Sequence, residues 1–218
     1  WLRALLLERE RIANHLGDLG ALGNDGGLAF GLAQFSRLKE DLLRLNAKLF
    51  GHRYLMDRVV PGGVAIDVDA HAAEEILAEC TRLRAELRNL RAIYYDHAGL
   101  QDRCITCGRL DPATAAELGV VGVAARASGH AIDLRACPGF APYDQLDVRI
   151  ASHRNGDVAA RIVVRFEEAF ESIELQRRIL RRLPQGALLE PVGEAPAGRW
   201  GVGWVEGWRG EVLVALQA

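Results

Sequence analysis

Little in this sequence places it quickly, and each scarcity excludes something. There are four cysteines and one methionine in 218 residues. Four cysteines in a chain this long are no disulfide scaffold, so a reduced, cytoplasmic setting is the expectation. No run of 18 or more apolar residues occurs, and no transmembrane helix is predicted. Neither charge sign dominates: 27 Lys and Arg face 29 Asp and Glu, for a net charge of −2. Bulk attraction to nucleic acid or to an anionic bilayer is therefore excluded. The phosphate loop, the dinucleotide fingerprint and the nucleophile elbow are all missing.

What is present is half hydrophobic and a quarter charged, the composition of a globular chain able to bury a real core. Trp1 opens directly inside a helical pattern and Ala218 falls inside an apolar alternation, so a portion of a longer subunit is expected. Residues 1–218 read as a single domain, mainly α with a small β element. Residues 1–98 are helical, 99–156 loop-rich, 157–183 one long helix and 198–217 a β-hairpin.

Leu2, Leu5, Leu6, Ile12, Ala13, Leu16 and Leu19 give an amphipathic helix over roughly 1–19. Gly20–Gly27, with four glycines, reads as its connection. Over 28–50, Leu28, Phe35, Leu42 and Leu49 repeat every seven residues, a bundle seam that Gly51 stops. Asp69 caps a third helix to about Ala98, with Ile76, Cys80, Leu83, Leu87, Leu90 and Tyr94 as its stripe. The loop-rich part predicts a short helix at 112–118 and a strand at 145–151. Asp157 caps the fourth helix, which presents Ile162, Phe166, Ala169, Phe170 and Ile173 inward and Arg161, Arg165, Glu168, Arg178 and Arg181 outward; Pro184 ends it. Between the second and third helices, Pro61-Gly62-Gly63 forms a sharp corner flanked by Arg58 and Asp67. The corner reads as a packing device, with both charged residues free to bridge to loops.

Three constellations could carry chemistry. Cys104 and Cys107 form a C-x-x-C, half of a zinc site or a redox pair, but no second pair exists. Cys80 falls in a helix stripe, Cys137 stands alone, and His97 or His130 could complete a site only through tertiary placement. Glu8, Arg11, His15 and Asp18 form a polar row on the first helix: a buried ion-pair line or proton path bordering a cavity, or a solvated face, which is the general expectation. The loop from Arg126 to Arg135 holds two arginines, His130 and Asp133 on a helical scaffold. It is either a site or a loop pinned by salt bridges, and Tyr143-Asp144 extends either version.

Arg126-Ala-Ser-Gly-His-Ala-Ile-Asp-Leu-Arg135 followed by Tyr143 resembles a stretch in the large subunit of membrane-bound, energy-converting nickel–iron hydrogenases. It also resembles its relative, the 49 kDa subunit of respiratory NADH:quinone oxidoreductase. Further pieces agree in the same order: Glu8 through His15, Arg58 through Val64, Gly156 through Glu168, and Val205 through Glu211. The resemblance implies a hydrogenase-large-subunit-like bundle of four long helices, an irregular loop region and a C-terminal hairpin. It implies an oxidoreductase subunit linked to quinone and to NADH or H₂, packed on an iron–sulfur small subunit and on membrane subunits, cytoplasmic and peripheral to the inner membrane.

Hydrogenases hold nickel and iron through C-x-x-C pairs near both ends of the full subunit, whereas Cys104 and Cys107 are interior, where relatives carry a Gly-rich run. The quinone-pocket His and Tyr of the respiratory subunit lie ahead of Trp1. No catalytic residue, metal ligand or cofactor is therefore expected within this chain. A nickel–iron centre or quinone belongs to the parent complex, and iron–sulfur clusters to partner subunits. Arg126, Asp133 and Arg135 are the matching positions expected to bind a cofactor, as lining of its cavity. The alternatives are a scaffold or assembly module without activity, and a zinc-binding protein built on Cys104 and Cys107.

Overall fold

The computed structural model describes residues 1–218. Four long helices make the bundle: α1 (Leu2–Asp25), α2 (Ala29–Phe50), α3 (Ala70–Asp96) and, after three short helices, α7 (Val158–Arg182). Their apolar stripes close one continuous core, at whose centre Phe35 of α2, Tyr94 of α3 and Phe166 of α7 meet ring to ring, with centroids 5.4–5.9 Å apart. Caps fall where the side chains predict them. Asp69 Oδ1 accepts from Ala72 N at 2.7 Å, Asp157 Oδ1 accepts from Ala160 N at 2.8 Å, and Gly51 takes the left-handed conformation that ends α2.

The first helix corrects the expectation of a connection from Gly20 to Gly27, because α1 continues to Asp25. Helical glycine costs up to about 1 kcal/mol against alanine, but here there is no room for a side chain. A Cβ on Gly20 would lie 3.1 Å from Phe35 Cβ, and one on Gly23 would overlap the Tyr94 hydroxyl. That hydroxyl donates to Leu19 O at 2.8 Å. The glycines mark where the Phe35 side chain of α2 and the Tyr94 side chain of α3 press against α1.

The corner is a minimal hairpin, β1 (Val59–Val60) against β2 (Gly63–Val64). The chain leaving α7 lies beside it: Leu188 O accepts from Val64 N at 3.0 Å, and Glu190 N donates to Gly62 O at 3.1 Å. A Cβ on either glycine would overlap a carbonyl oxygen of that segment, Glu190 O for Gly62 and Leu188 O for Gly63. The paired glycines thus serve a close backbone approach. The flanking charges act locally instead of bridging to loops: Arg58 Nη1 donates to Phe50 O, closing the end of α2, and Asp67 accepts from Val68 N.

Between α3 and α7 lie α4 (Ala98–Cys104), α5 (Pro112–Glu117), α6 (Gly122–Ala127) and a 3-10 turn at Tyr143–Gln145. The predicted strand at 145–151 does not form. Its backbone finds partners on α7 instead of on another strand: Arg178 Nη1 donates to Leu146 O and Asp147 O at 2.6 and 2.8 Å, and Glu171 accepts from Arg149 N. The tail is the expected antiparallel hairpin, β3 (Trp200–Gly207) and β4 (Gly210–Gln217), with Glu206 opposite Glu211. Its turn end sits against the start of α6, where a Cβ on Gly122 would overlap Arg209 O. Toward its open end both strands are exposed.

Candidate functional site

The row on α1 is not a solvated face. Glu8, Arg11 and His15 are fully buried and point toward α6, α7, the 133–143 loop and the turn of the hairpin. Arg135 Nη1 donates to both oxygens of Glu8 at 2.9 and 3.0 Å, and its Nε and Nη2 grip Asp133 at 3.0 and 2.7 Å. Tyr143 Oη donates to Glu8 Oε1 at 2.6 Å. On the other side Glu168 of α7 accepts from Arg11 Nη2 and Arg126 Nε, both at 2.6 Å. Arg126 Nη1 reaches Glu206 at 3.0 Å, and the second oxygen of Glu206 accepts from Leu134 N. Asp18, the last of the row, instead takes a half-buried pair with Arg165 at 3.1 Å.

Four carboxylates and three guanidiniums are thus held together at 2% exposure or less. Ions placed so deep persist only when paired and hydrogen-bonded. Burial works against the Glu168 carboxylate, but the Arg11 and Arg126 guanidiniums outweigh it and hold its pKa well below the usual range. Burial also opposes Asp133, and its two-pronged grip by Arg135 wins, keeping it ionised. For Glu206 the balance reverses and burial pushes the pKa up. Burial likewise lowers the His15 imidazole, only partly offset by Glu168, so the ring is neutral near pH 7. His15 Nε2 stands 3.0 Å from Glu168 Oε2 but off the line of a good hydrogen bond, and both ring nitrogens lack an aligned partner. The four carboxylates outnumber the three guanidiniums by one. Glu206, with its raised pKa, is the member placed to take up a proton.

All three residues singled out from the sequence, Arg126, Asp133 and Arg135, lie in this network, at exposures of 1% or less. Neither the cleft beside Arg88 and Arg149 nor the one beside Asp18 and Arg165 is lined by them. Glu168, expected on the outer face of α7, is a correction: it lies on the side of α7 that packs against α1 and α6, while its neighbour Glu167 is the exposed one. Sequence reading also missed a second buried cluster. Arg9 Nη1 binds Glu79 at 2.8 Å and Gln176 at 3.2 Å, and its Nε binds Asn46, so one guanidinium ties α1, α2, α3 and α7 together. The signal was available, because Arg9 stands at helical spacing with Leu5, Ile12 and Leu16, inside the apolar stripe.

The cysteine pair does not build a site. Cys104 is buried at the end of α4, Cys107 is exposed, and Cys80 is enclosed in α3, its thiol pushed up to about 12 by burial. His97 accepts from Leu100 N to cap α4, and His130 Nε2 lies 2.8 Å from Pro112 O. No three His, Cys, Asp or Glu side chains are placed to share a metal ion. The side chains present do not fit a nickel–iron centre.

This four-helix spine sealed around buried ion pairs, with a hairpin plugged onto its end, is a fold shared with a known structure. The structure of the membrane-bound sulfane sulfur reductase, an archaeal respiratory membrane complex, superposes over the whole chain and 61% of its own with a TM-score of 0.92 at 24% identity. The chain belongs to the family of the respiratory-chain NADH dehydrogenase 49 Kd subunit, whose model matches residues 25–197. It is 30% identical over 202 residues to a subunit of the NADH-quinone oxidoreductase of Thermosipho melanesiensis, covering 93% of this chain and 55% of that protein. It is 32% identical to the carbon monoxide-induced hydrogenase of Rhodospirillum rubrum, covering 100% of this chain and 60% of the relative. Formate hydrogenlyase subunit 5 of Escherichia coli is 31% identical over 96% of this chain and 37% of its own length. The chain therefore spans roughly a third to three fifths of these relatives. No helix is long and apolar enough to cross a membrane.

Proposed function

We propose that this chain is the helical part of the large subunit of an electron-transfer complex linking quinone to NADH or H₂, docked on an iron–sulfur small subunit and on membrane subunits at the cytoplasmic face. Family membership supports the reaction class. The observation that carries the docking is the hairpin. Trp200, Val202 and Trp204 on β3 stand beside Leu213 and Ala215 on β4, and Val212, Val214 and Leu216 form the opposite face. Trp200 is 67% and Leu216 70% exposed. A two-stranded ribbon apolar on both faces is marginal in water and gains its stability from what covers it.

In this proposal Arg126, Asp133 and Arg135 form the inner wall of the cofactor cavity, which holds quinone or a metal centre in the assembled enzyme. The ion pairs fix that wall, and Glu206 links it to the docking hairpin, so partner and cavity are mechanically joined. The test is co-expression with the iron–sulfur and membrane subunits of a complex of this family. Trp204→Asp and Leu213→Asp should abolish co-purification while leaving the melting temperature of the isolated chain within about 2 °C, as surface changes do. Unaltered co-purification of both variants would sink the docking role.

A further inference from the structure

A cleft of about 390 Å³ runs between α3, α7 and the segment around Arg149, on the bundle face of Arg88 and Arg91. Its charge does not cancel. Glu174 is paired with Arg84 and with Arg177, and Glu171 with Arg178 at 3.5 Å. That leaves Arg88, Arg91 and Arg149, none of which has an ion-pair partner, against the single carboxylate of Glu167. Four arginines thus line the cleft against three glutamates, and three of the four guanidiniums have no ion-pair partner. The Arg91 guanidinium lies 5.1 Å from the centre of the Phe170 ring, which forms part of the cleft wall. That contact orients it without consuming its outward N–H donors.

An unpaired arginine on an open helix face is ordinary, because water solvates it. Three lining one cleft are not, since like charges gathered on one concavity repel one another. An anion with two or more oxyanion groups removes that repulsion and satisfies the planar donor forks in pairs. The volume also falls within the range of about 300–1,000 Å³ typical of small-ligand pockets, larger than one inorganic anion requires. Nothing in the buried network or in the hairpin uses this cleft.

We infer that this cleft is a binding site for a small organic polyanion, a molecule bearing at least two phosphate or carboxylate groups held by Arg88, Arg91 and Arg149. The site is separate from the ion network and does not depend on the oxidoreductase assignment. It is tested on the 218-residue chain by calorimetric titration with pyrophosphate and with citrate at constant ionic strength. One saturable site per chain is expected for at least one probe. The Arg88→Gln/Arg149→Gln double variant should bind about tenfold or more weakly, with an unchanged melting temperature in the absence of anion. Preference for pyrophosphate or for citrate identifies the oxyanion. Absence of saturable binding by both probes overturns the inference, as does binding that survives the double substitution. Capture of the chain by phosphatidylglycerol vesicles without binding of either soluble probe also overturns it, and assigns the face to a membrane surface.

Discussion

Replacing Glu168 by glutamine tests the buried network most directly. The side chain is 2% exposed and accepts from Arg11 and Arg126, each at 2.6 Å, with His15 at 3.0 Å. The amide keeps the shape but removes the charge and turns one acceptor into a donor facing a guanidinium. Arg11 keeps Glu8 at 3.9 Å and backbone carbonyls of the hairpin turn; Arg126 keeps Glu206. Breaking a buried pair from one side costs about 3–5 kcal/mol, a large part of the 5–15 kcal/mol that typically holds a domain together. At this chain length each kcal/mol is worth about 2–4 °C, so the melting temperature should fall by about 6–20 °C. Thermal melts of wild type, Glu168→Gln, Arg126→Gln and the double variant form a cycle in which the double loss is smaller than the sum, because the second change removes a charge the first left stranded. A fall below about 2 °C for Glu168→Gln, or strict additivity, would refute this account of the network.

Other outcomes follow from the same packing. Gly23→Ala should destabilise by about 1–3 kcal/mol despite alanine's better helix propensity, since its methyl group would overlap the Tyr94 hydroxyl; Tyr94→Phe in the same chain should restore part of the loss, and a stabilised single variant would contradict the close approach. Phe166→Ala should cost about 3–5 kcal/mol in a denaturant melt, because the ring is fully buried between Phe35 and Tyr94. His15 has a folded pKa depressed below 6.5. The unfolded chain therefore binds its proton first, so its contribution is present above 6.5 and is lost as pH falls, at up to about 1.4 kcal/mol per pH unit. Melts between pH 7.5 and 5.5 should show a slope that His15→Asn reduces; an equal slope in both proteins would remove His15 from that role.

The sequence by itself determined the four long helices, their caps at Asp69 and Asp157, the stop at Gly51 and the C-terminal hairpin. These are local matters: a helical period sustained over five or more turns, a capping side chain and a turn signal are all written in neighbouring residues. The short helices α4 and α6 were not legible, since six or seven residues carry too few turns to show a period. Gly20 and Gly23 read as a break for the same reason, because sequence shows their freedom but not the Phe35 and Tyr94 side chains that require their smallness. The strand at 145–151 failed because alternation proposes a strand and only a neighbour confirms it; the neighbour was α7.

The site divides along the same line. Arg126, Asp133 and Arg135 could be singled out as charges crowded into one loop, and the spacing of Glu8, Arg11 and His15 placed them on one side of α1. Whether that side met water or protein was decided by tertiary packing alone. Burial is a property of what lies across from a residue, and what lies across from α1 comes from positions 135, 143, 168 and 206, more than a hundred residues away. Folding joined these separately unremarkable charges into one network, since in a low-dielectric interior each needs the others as counter-ions.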